Sequence, residues 1–437
     1  MTPHTTTSVG AEIYALARDI YPICRSITGD GVRQTLQVLK RHAPIKTHEI
    51  ASGTSVFDWT VPREWIIREA YIAASDGTRV VDFRNHTLHV LNYSAPIRQH
   101  MTLAELKPHL HTLPDDPDLI PYRTSYYEER WGFCITQTQK DALPNDTYEV
   151  VVDSEFKNGA LTWGEYLHQG KSDDEVLLTA HICHPSLAND NCSGLALLTR
   201  LCAALCRRST KLSYRFLFAP GTIGAISWLA QNEHRVDRVK HGLVLSCVGD
   251  GGGPIYKQSR RGDAIIDRAM AHVISHSGLP GRVVPFSPYG YDERQFGSPA
   301  FDMPVGLFQR SAFGTFREYH TSADNLDFIA PDHLAISYDI VSQAIDILEG
   351  NNVFINLNPK CEPQLGRRGL YGTIGGDKDA PKRSMAMLWV LNLSDGNHTL
   401  LDIAERADLP FSVIAQAGEK LLSAGLLAEA ETPSGRT

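Results

Sequence analysis

The residues best suited to chemistry lie in the segment AHICHPSLANDNCSG, residues 180–194. It contains His181, His184 and Asp190, and it begins inside the apolar run EVLLTAHIC, which is typical of a buried strand. Neutral imidazole and carboxylate oxygens are good zinc donors, and this loop is long enough to fold the aspartate back over the first histidine. The segment therefore predicts a metal site at a strand end. The alternative is a histidine bonded to a loop carbonyl, with Asp190 as a helix N-cap.

A second candidate ligand lies in EYHTSADNLD, residues 318–327, in front of a long helical pattern. It offers His320, and the carboxylates of Asp324 and Asp327 are placed to orient the imidazole ring from behind. The alternative is a surface loop that carries a helix cap.

A third polar segment, YDERQF, precedes a strand and is followed by two prolines. It places Asp292, Glu293 and Arg294 between apolar residues, which favours the wall of a pocket. The alternative is a solvated turn.

The elements that must position these residues alternate from about residue 160 onward. EVLLTAHIC, LSYRFLFAP, HGLVLSCVG and MPVGLFQ have the pattern of buried strands, and helical patterns such as GLALLTRLCAALC separate them. Such alternation predicts an α/β fold with a mostly parallel, helix-covered sheet. Ligands of such sheets bind at the carboxyl ends of the strands. Each candidate segment lies beside such a strand in the sequence.

The rest of the chain predicts two appendages. Residues 11–42 predict a helix pair that joins the α/β domain, which we assign to residues 1–54 and 151–355. Residues 55–150 alternate apolar and polar residues between prolines, which predicts a β-rich insert subdomain. Residues 356–437 have the spacing of three helices and a short strand, which is typical of a winged helix-turn-helix domain.

Composition is that of an ordinary soluble globular protein, with 42% apolar and 21% charged residues. A net charge of -8 argues against a strongly phosphate-binding protein. No signal peptide precedes the helices, and no run of 18 apolar residues predicts a membrane span. Eight cysteines without a CxxC pair predict reduced thiols, and with these features a cytoplasmic location.

Taken together, these segments resemble the M28-like zinc aminopeptidases. The order is the same: a strand-end histidine, an aspartate heading a D-x-x-S-G turn, an aspartate-containing loop, and a late Tyr-His-Thr. A closer resemblance is to the bacterial aminopeptidase-like subgroup with a C-terminal winged helix, of DUF4910 type. PYRTSYYEERWGFC, CVGDGGGPIYKQSRRGD and EPQLGRRGLYGTIGG carry that second resemblance.

The resemblance implies a zinc-dependent hydrolase in which His181, Asp190 and His320 bind metal. The family's Glu-Glu pair after the third strand is missing, and Gly221 stands where the subgroup keeps one glutamate. The place of the family's second metal-binding aspartate is taken by Ser246 or Cys247, unless Asp250 fills that role. Three protein ligands and a water complete a catalytic zinc site, so we expect one zinc, with two as the alternative.

The general base is open. It must come within hydrogen-bond reach of the metal-bound water, and Glu293, Glu318 and Asp292 are the candidates, with Glu293 favoured. His184 is either a fourth metal ligand or a substrate contact. The residues predicted to contact substrate are His184, Tyr126, Asp292, Arg294, Lys257 and Arg260.

The cations among these residues favour an anionic substrate, although a solvated basic turn is the alternative. We expect hydrolysis of an amide or peptide bond in a small peptide or amino-acid conjugate. A biosynthetic deacylase and a repurposed scaffold that binds or regulates without hydrolysis are the alternatives. The predicted recognition helix carries only Lys420 against Glu419, so DNA binding is not expected. A packing or homo-oligomer contact is the role we predict for the winged helix.

Overall fold

The computed structural model describes residues 3–370 and 380–430. The chain divides into two compact units, Met1–Arg261 with Val284–Tyr338, and Gly262–Val283 with Asp339–Thr437. Residues 371–376 of the EPQLGRRGLYGTIGG segment and the last seven residues of the predicted winged-helix domain lie outside the described residues. The domain boundaries given above stay a prediction. Within the described residues, no helix has the length and apolar character needed to cross a bilayer.

The regular elements fall in the following order along the chain. The strands are β1 Lys46–Ala51, β2 Ser55–Val56, β3 Trp59–Thr60, β4 Glu64–Ala73, β5 Arg79–Asp82, β6 Ile97–Thr102, β7 Leu110–His111, β8 Phe133–Cys134, β9 Thr147–Lys157, β10 Ala160–His168, β11 Glu175–His181, β12 Ser213–Ala219, β13 Val239–Leu245, β14 Ile255–Lys257, β15 Arg282–Val284, β16 Val305–Gln309, β17 Val353–Asn356, β18 Asp395–Thr399 and β19 Leu427–Glu429. The α-helices are α1 Pro3–Ile20, α2 Asp30–Leu39, α3 Leu103–Leu106, α4 Gln137–Ala142, α5 Gly194–Leu205, α6 Ile223–Asn232, α7 Ile265–His276, α8 Glu293–Phe296, α9 Pro331–Gly350, α10 Ala380–Leu393, α11 Leu400–Ala407 and α12 Phe411–Ser423.

The central sheet has eight strands in the order β1-β10-β12-β11-β13-β16-β14-β15. Its middle four strands, β12, β11, β13 and β16, are parallel, while β1, β10 and β14 pair antiparallel with their neighbours. Every residue of β11 and β12 is buried, as expected when both faces of a parallel sheet are covered. The predicted α/β fold with a mostly parallel sheet is confirmed, and its antiparallel strands lie toward the edges.

The insert forms a second, four-stranded antiparallel sheet in the order β5-β4-β9-β6. β9 alternates buried and less buried residues along most of its length, which is the period of a half-buried strand. The predicted helix pair is present as α1 and α2, and α1 starts earlier than predicted. α1 packs against α5 and against the turn that carries Asp190, so it supports the candidate site from outside.

The second unit contains α7, the end of α9 and the C-terminal elements from β17 to β19. β17, β18 and β19 form one antiparallel sheet in the order β18-β17-β19. A capping box starts α11, in which the Thr399 side chain bonds the Asp402 amide and Asp402 bonds back. This arrangement of helices with a small sheet is that of the predicted winged helix.

Candidate metal centre

The candidate site forms at the carboxyl end of β11, where His181 is the last residue of the strand and is buried. The chain then loops back through the turn Ala188–Ser193, which carries Asp190. Asn191 fixes this turn to the sheet, because its Nδ2 donates to the Leu245 carbonyl at the end of β13 (3.0 Å). The turn therefore returns Asp190 to the strand end, as the sequence predicted.

Three imidazoles surround the Asp190 carboxylate. His181 Nε2 lies 2.9 Å from its Oδ1, and His320 Nε2 lies 3.0 Å from its Oδ2. His184 Nε2 lies 3.9 Å from the same Oδ2. His181, His184 and Asp190 are buried, whereas one third of the His320 side chain is exposed. The structure thus brings these four suggested ligands together. Asp250, the other aspartate that the sequence offered as a ligand, instead accepts from Asn189 Nδ2 (2.7 Å) and Ser311 Oγ (2.7 Å).

The tightest set is His181, His184 and Asp190, which offer three ligand atoms within 4.8 Å of one another. His181 Nε2 is buried and makes no hydrogen bond of acceptable geometry, despite its short distance to Asp190. A buried polar atom without a partner normally marks a bound ion or water. Two imidazoles and one carboxylate are also a donor set that zinc uses in catalytic sites. The residues therefore fit a zinc ion, with His184 closer to the centre of the set than predicted.

The protonation states suit metal binding. Burial opposes ionisation of Asp190, but the neighbouring His184 and His181 hold its pKa well below the usual range. Burial also holds the pKa of His184 well below that of a free imidazole. A carboxylate and a neutral imidazole are the forms that ligate a metal.

Asp324 does not orient the His320 ring, contrary to the prediction. Its Oδ1 accepts from the Asn189 amide (2.6 Å) and its Oδ2 from the Asp190 amide (2.9 Å). The carboxylate therefore holds the backbone of the turn that carries Asp190. Asp327 is exposed, and its amide bonds within its own loop.

Tyrosines hold the His320 ring instead. Tyr319 stacks on it with centroids 4.0 Å apart, and Tyr122 meets it edge-on at 5.1 Å. The Tyr122 ring also lies 5.1 Å from that of His184, and its hydroxyl lies 2.9 Å from the Tyr126 hydroxyl. Tyr126, a predicted substrate contact, therefore connects to the site through Tyr122.

Tyr291 occupies the space beside Gly221. A Cβ added to Gly221 would lie 2.0 Å from Tyr291 Cε1, so no side chain fits there while the ring stays in place. The Tyr291 ring lies 4.2 Å from that of His181, and its hydroxyl lies 3.3 Å from Cys183 Sγ. An aromatic ring thus fills the space beside Gly221, where the resemblance led us to expect a glutamate.

Glu293, the favoured base, is engaged elsewhere. Its Oε1 pairs with Lys257 Nζ at 2.7 Å, its Oε2 accepts from the Tyr291 amide, and the side chain is fully buried. Because the two side chains form an ion pair, Glu293 does not face the metal ligands as a free base. For the same reason, Lys257 does not face them as a free cation that could contact substrate. The contacts of Glu318 are through its carbonyl, which accepts from the amide and hydroxyl of Thr321.

Asp292 has the character of an unsatisfied functional group. In the part of the chain that the structure describes, it is the one buried carboxylate with no hydrogen bond on either oxygen. Burial, with a smaller contribution from Glu293, raises its pKa to about 8. A carboxyl group in this state is protonated over much of the neutral range and can donate a proton.

The predicted basic contacts do not gather at the metal ligands. Arg260 pairs with Asp302 at 2.7 Å, and both side chains are exposed. Arg294 is exposed at the start of α8, where its charge lowers the pKa of Asp292 only as a minor effect. An anionic substrate is therefore not supported by these side chains.

Sequence reasoning missed Arg25, which lies between α1 and α2. It is buried, its Nε donates to the His184 carbonyl (2.8 Å), and its Nη2 lies 3.0 Å from Cys192 Sγ. It therefore clamps both ends of the loop that carries the ligands. Its partners are far away in sequence, so no local signal marks it, whereas Tyr291 could have been suspected as part of YDERQF.

Comparison with known families divides the chain in two. The profile of a family described as a domain of unknown function (DUF4910) matches residues 14–351, and that of a winged helix-turn-helix matches residues 352–429. A Clostridium acetobutylicum protein, named for polysaccharide biosynthesis and an aminopeptidase-like domain, is 51% identical over 422 residues, or 97% of each chain. These matches confirm the predicted resemblance and the winged helix.

Solved structures agree on the fold. A C. acetobutylicum crystal structure described as a candidate peptidase superposes with a TM-score of 0.93 at 49% identity, covering 98% of both chains. The zinc aminopeptidase BSAP of Bacillus subtilis gives a TM-score of 0.57 at 14% identity, over 78% of this chain and 94% of that one. An aminopeptidase from Aneurinibacillus sp. strain AM-1 gives 0.51 at 16% identity, over 79% and 96%. The last two show a shared fold alone.

Proposed function

Since this chain belongs to the DUF4910 family and has an aminopeptidase-like fold, we propose that it is a zinc-dependent hydrolase of an amide bond. The observation that carries the proposal is the set of imidazoles around Asp190. His181 Nε2 is buried without a hydrogen bond, and His184 and His320 approach the same carboxylate. A structural role would give His181 Nε2 a hydrogen-bond partner in the protein, whereas a metal site needs this nitrogen free.

The ligand residues are expected to be His181, His184 and Asp190, with His320 beside the open position. Zinc held there would lower the pKa of a bound water and polarise a carbonyl. His320 is the partly exposed member of the set, so substrate approaches from its side. Asp324 keeps Asp190 in place through the turn backbone.

Asp292 is the residue we assign to proton transfer. Of the three carboxyl groups considered, Glu293 is neutralised by Lys257, whereas Asp292 is buried with both oxygens free. Asp292 follows Tyr291, whose ring packs on His181, and with its pKa raised to about 8 by burial it keeps a proton that we assign to the leaving amine. Replacing Asp292 with Asn should therefore lower kcat and leave zinc content unchanged.

The substrate we propose is a small amide conjugate rather than a protein chain. The C. acetobutylicum relative is named for polysaccharide biosynthesis, and at 51% identity it supports a related role here. This favours a biosynthetic deacylase or amidase that acts on an amino-acid or acyl conjugate of a precursor. The exposed and paired arginines give no support for a requirement that the substrate be anionic.

The test combines metal content with activity. The chain is stripped with chelator, reloaded with zinc and analysed by mass spectrometry, beside His181→Ala, His184→Ala and Asp190→Asn variants. His48→Ala is the matched control, because His48 stacks on Trp163 away from the ligand set. We expect about one zinc in the wild type and the control, and at least tenfold weaker zinc binding in the three variants.

Hydrolysis is then followed on aminoacyl p-nitroanilides and N-acyl amino sugars. Turnover that requires zinc and is lost in the three variants supports the proposal. Full zinc occupancy in all three variants would show that the metal lies elsewhere. Zinc binding without turnover of any amide would favour the second candidate, a scaffold that binds without hydrolysis. The observation that favours this candidate is the Tyr291 ring, which occupies the place of the missing carboxylate.

A further inference from the structure

A group of exposed aromatic side chains lies outside the metal centre. Phe57, Trp59 and Tyr127 are each about half exposed, at 51%, 46% and 50%. The Trp59 and Tyr127 rings are 5.4 Å apart, and Phe57 occupies the turn of the same β2–β3 hairpin that carries Trp59. Large aromatic rings are normally buried, so a cluster held at the surface beside polar groups is a candidate binding site.

The backbone presents two of these rings in an unfavourable conformation. Phe57 has φ of 55° and Tyr127 has φ of 65°, in the left-handed region that bulky residues rarely adopt. Residues in this conformation persist where the surroundings impose it, typically at ligand sites. Around Tyr127 the constraint is a turn in which the Glu128 amide donates to the Ser125 carbonyl (3.1 Å).

A cavity of about 340 Å³ adjoins Tyr127. Tyr93 and Phe156 form its apolar wall, with ring centroids 4.8 Å apart. Arg63, Glu128, Glu129 and Asn158 supply polar edges, and the Arg63 guanidinium lies over the Phe156 ring. The volume lies at the lower end of the range for small-molecule pockets, and the lining joins aromatic faces to a few hydrogen-bonding groups.

This lining matches the two sides of a pyranose ring. A pyranose has a face of C–H groups that is attracted to the electron-rich face of an aromatic ring. Its edge carries hydroxyl groups, which bond well to carboxylates, amides and guanidinium groups. A flat apolar surface would not bond the hydroxyl groups at the edge of the sugar, and a purely charged surface would not attract its C–H face.

The cluster also lies at the rim of the metal centre. Tyr126, which precedes Tyr127, contacts the hydroxyl of Tyr122, whose ring packs on His184 and His320. β2 contacts α6, the helix that begins just after Gly221.

We propose that Trp59, Tyr127 and the adjoining cavity form a carbohydrate-binding subsite at the rim of the metal centre. A pyranose ring stacks on the Trp59–Tyr127 pair, and its hydroxyls bond Arg63, Glu128 and Asn158. Binding of a sugar there does not depend on hydrolysis. That the sugar is the carrier of the scissile amide rests on the function proposed above.

A protein partner or a second copy of the chain fits this surface less well. Three half-exposed aromatic side chains offer about 300 Å², since a whole one buries 150–250 Å². A stable protein interface buries about 800 Å² on each partner. The cavity, with its polar lining, suits a small ring better than a flat contact.

The experiment is a titration of the full, zinc-loaded chain with chitotriose, cellotriose and maltotriose, followed by calorimetry and by tryptophan fluorescence. Trp59 is exposed, so its emission should change when a sugar stacks on it. We expect saturable binding with a dissociation constant of about 1 mM or tighter for at least one trisaccharide. Trp59→Ala and Tyr127→Ala should each weaken binding by roughly tenfold or more, as for buried aromatic anchors.

Two controls make the result specific. Trp59→Phe keeps a ring and should bind within about threefold of the wild type by calorimetry. Leu357→Ala removes an exposed apolar side chain of the second unit and should change nothing. Zinc content and turnover of an unglycosylated amide are measured on the same variants. Intact values with lost sugar binding separate this proposal from the proposed hydrolase.

Two outcomes would overturn the subsite. One is the absence of saturable binding for all three trisaccharides at about 20 mM, or equal binding by the wild type and Trp59→Ala. The other is self-association of the wild type in sedimentation equilibrium that Trp59→Ala abolishes, because it would make the patch a contact between copies.

Discussion

The shared space of Gly221 and Tyr291 allows a quantitative test of the site geometry. The perturbation is Gly221→Ala, alone and combined with Tyr291→Ala. A Cβ at position 221 would lie 2.0 Å from Tyr291 Cε1, well inside van der Waals contact, so the ring or the backbone must move. Overpacking of this kind costs about 1–3 kcal/mol.

The double variant should not cost the sum of its parts. Tyr291→Ala alone removes a partly buried aromatic ring packed on His181 and should cost up to about 3–5 kcal/mol, the value for fully buried rings. With the ring absent, the new Cβ has room, so the Gly221→Ala penalty should largely vanish. The coupling free energy between the two sites is therefore expected to be about 1–3 kcal/mol, in the favourable direction.

Equilibrium urea unfolding of the zinc-free chain provides the assay. Trp163 and Trp228 are buried in the unit that carries the site, so tryptophan emission follows its unfolding. Gly251→Ala is the matched control, because a Cβ there would meet only His333 at 3.4 Å, an ordinary contact. Additive costs within about 0.5 kcal/mol would refute the claim that Tyr291 fills the place of a side chain at 221.

Three further perturbations follow from the described contacts. Asp324→Asn removes one of two acceptors for the turn amides and should weaken zinc binding by about 10–100-fold in a chelator competition, with Thr321→Ser as an unchanged control. Arg33 holds the pKa of Glu64 at about 2, so this pair should stabilise the fold by about 3 kcal/mol above pH 5. This stabilisation should be lost as pH falls toward 2, and Glu64→Gln should flatten that part of the Tm–pH curve. The pKa of Asp292 is raised to about 8, so its destabilisation of the fold grows as pH rises from about 4 to 8. Asp292→Asn should therefore raise the Tm of the zinc-free chain at pH 8 but not at pH 4. An equal gain in Tm at both pH values would contradict the raised pKa.

The fold was predictable because its strands are buried on both faces. β11 and β12 are mostly apolar and buried along their whole length, and such strands between helical patterns specify a helix-covered parallel sheet. His181 and Asp190 were predictable for a related reason, since the strand end and the turn nine residues later are both local features. The antiparallel edge strands were not, because pairing partners such as β1 and β10 are more than a hundred residues apart.

The roles of the carboxyl groups were not predictable. Asp292 and Glu293 are adjacent and equally acidic in sequence, yet one is left without partners and the other is paired with Lys257. Which of them faces the lysine depends on how α8 packs beside β14, a tertiary property. Asp324 was expected behind His320 for its nearness in sequence, but the turn amides at 189 and 190 are better partners because they are otherwise buried donors.

The number of metal ions follows from what surrounds Asp190. A second ion on its other oxygen needs a further carboxylate, and the two positions at which the resemblance led us to expect one, 221 and 246 or 247, hold no acid here. At one of them Gly221 faces the Tyr291 ring. At the other position, Ser246 Oγ lies 3.4 Å from Asp190 Oδ1. Burial raises the pKa of the adjacent Cys247 thiol well above its usual value, so this thiol stays protonated. The ligand set consists of imidazoles and one carboxylate, so two divalent ions would leave three positive charges uncompensated in a buried site. One divalent ion would leave a single positive charge uncompensated. We therefore expect about one zinc per chain after reloading, and a stoichiometry near two would mean that a carboxylate such as Asp292 turns toward Asp190 when metal binds.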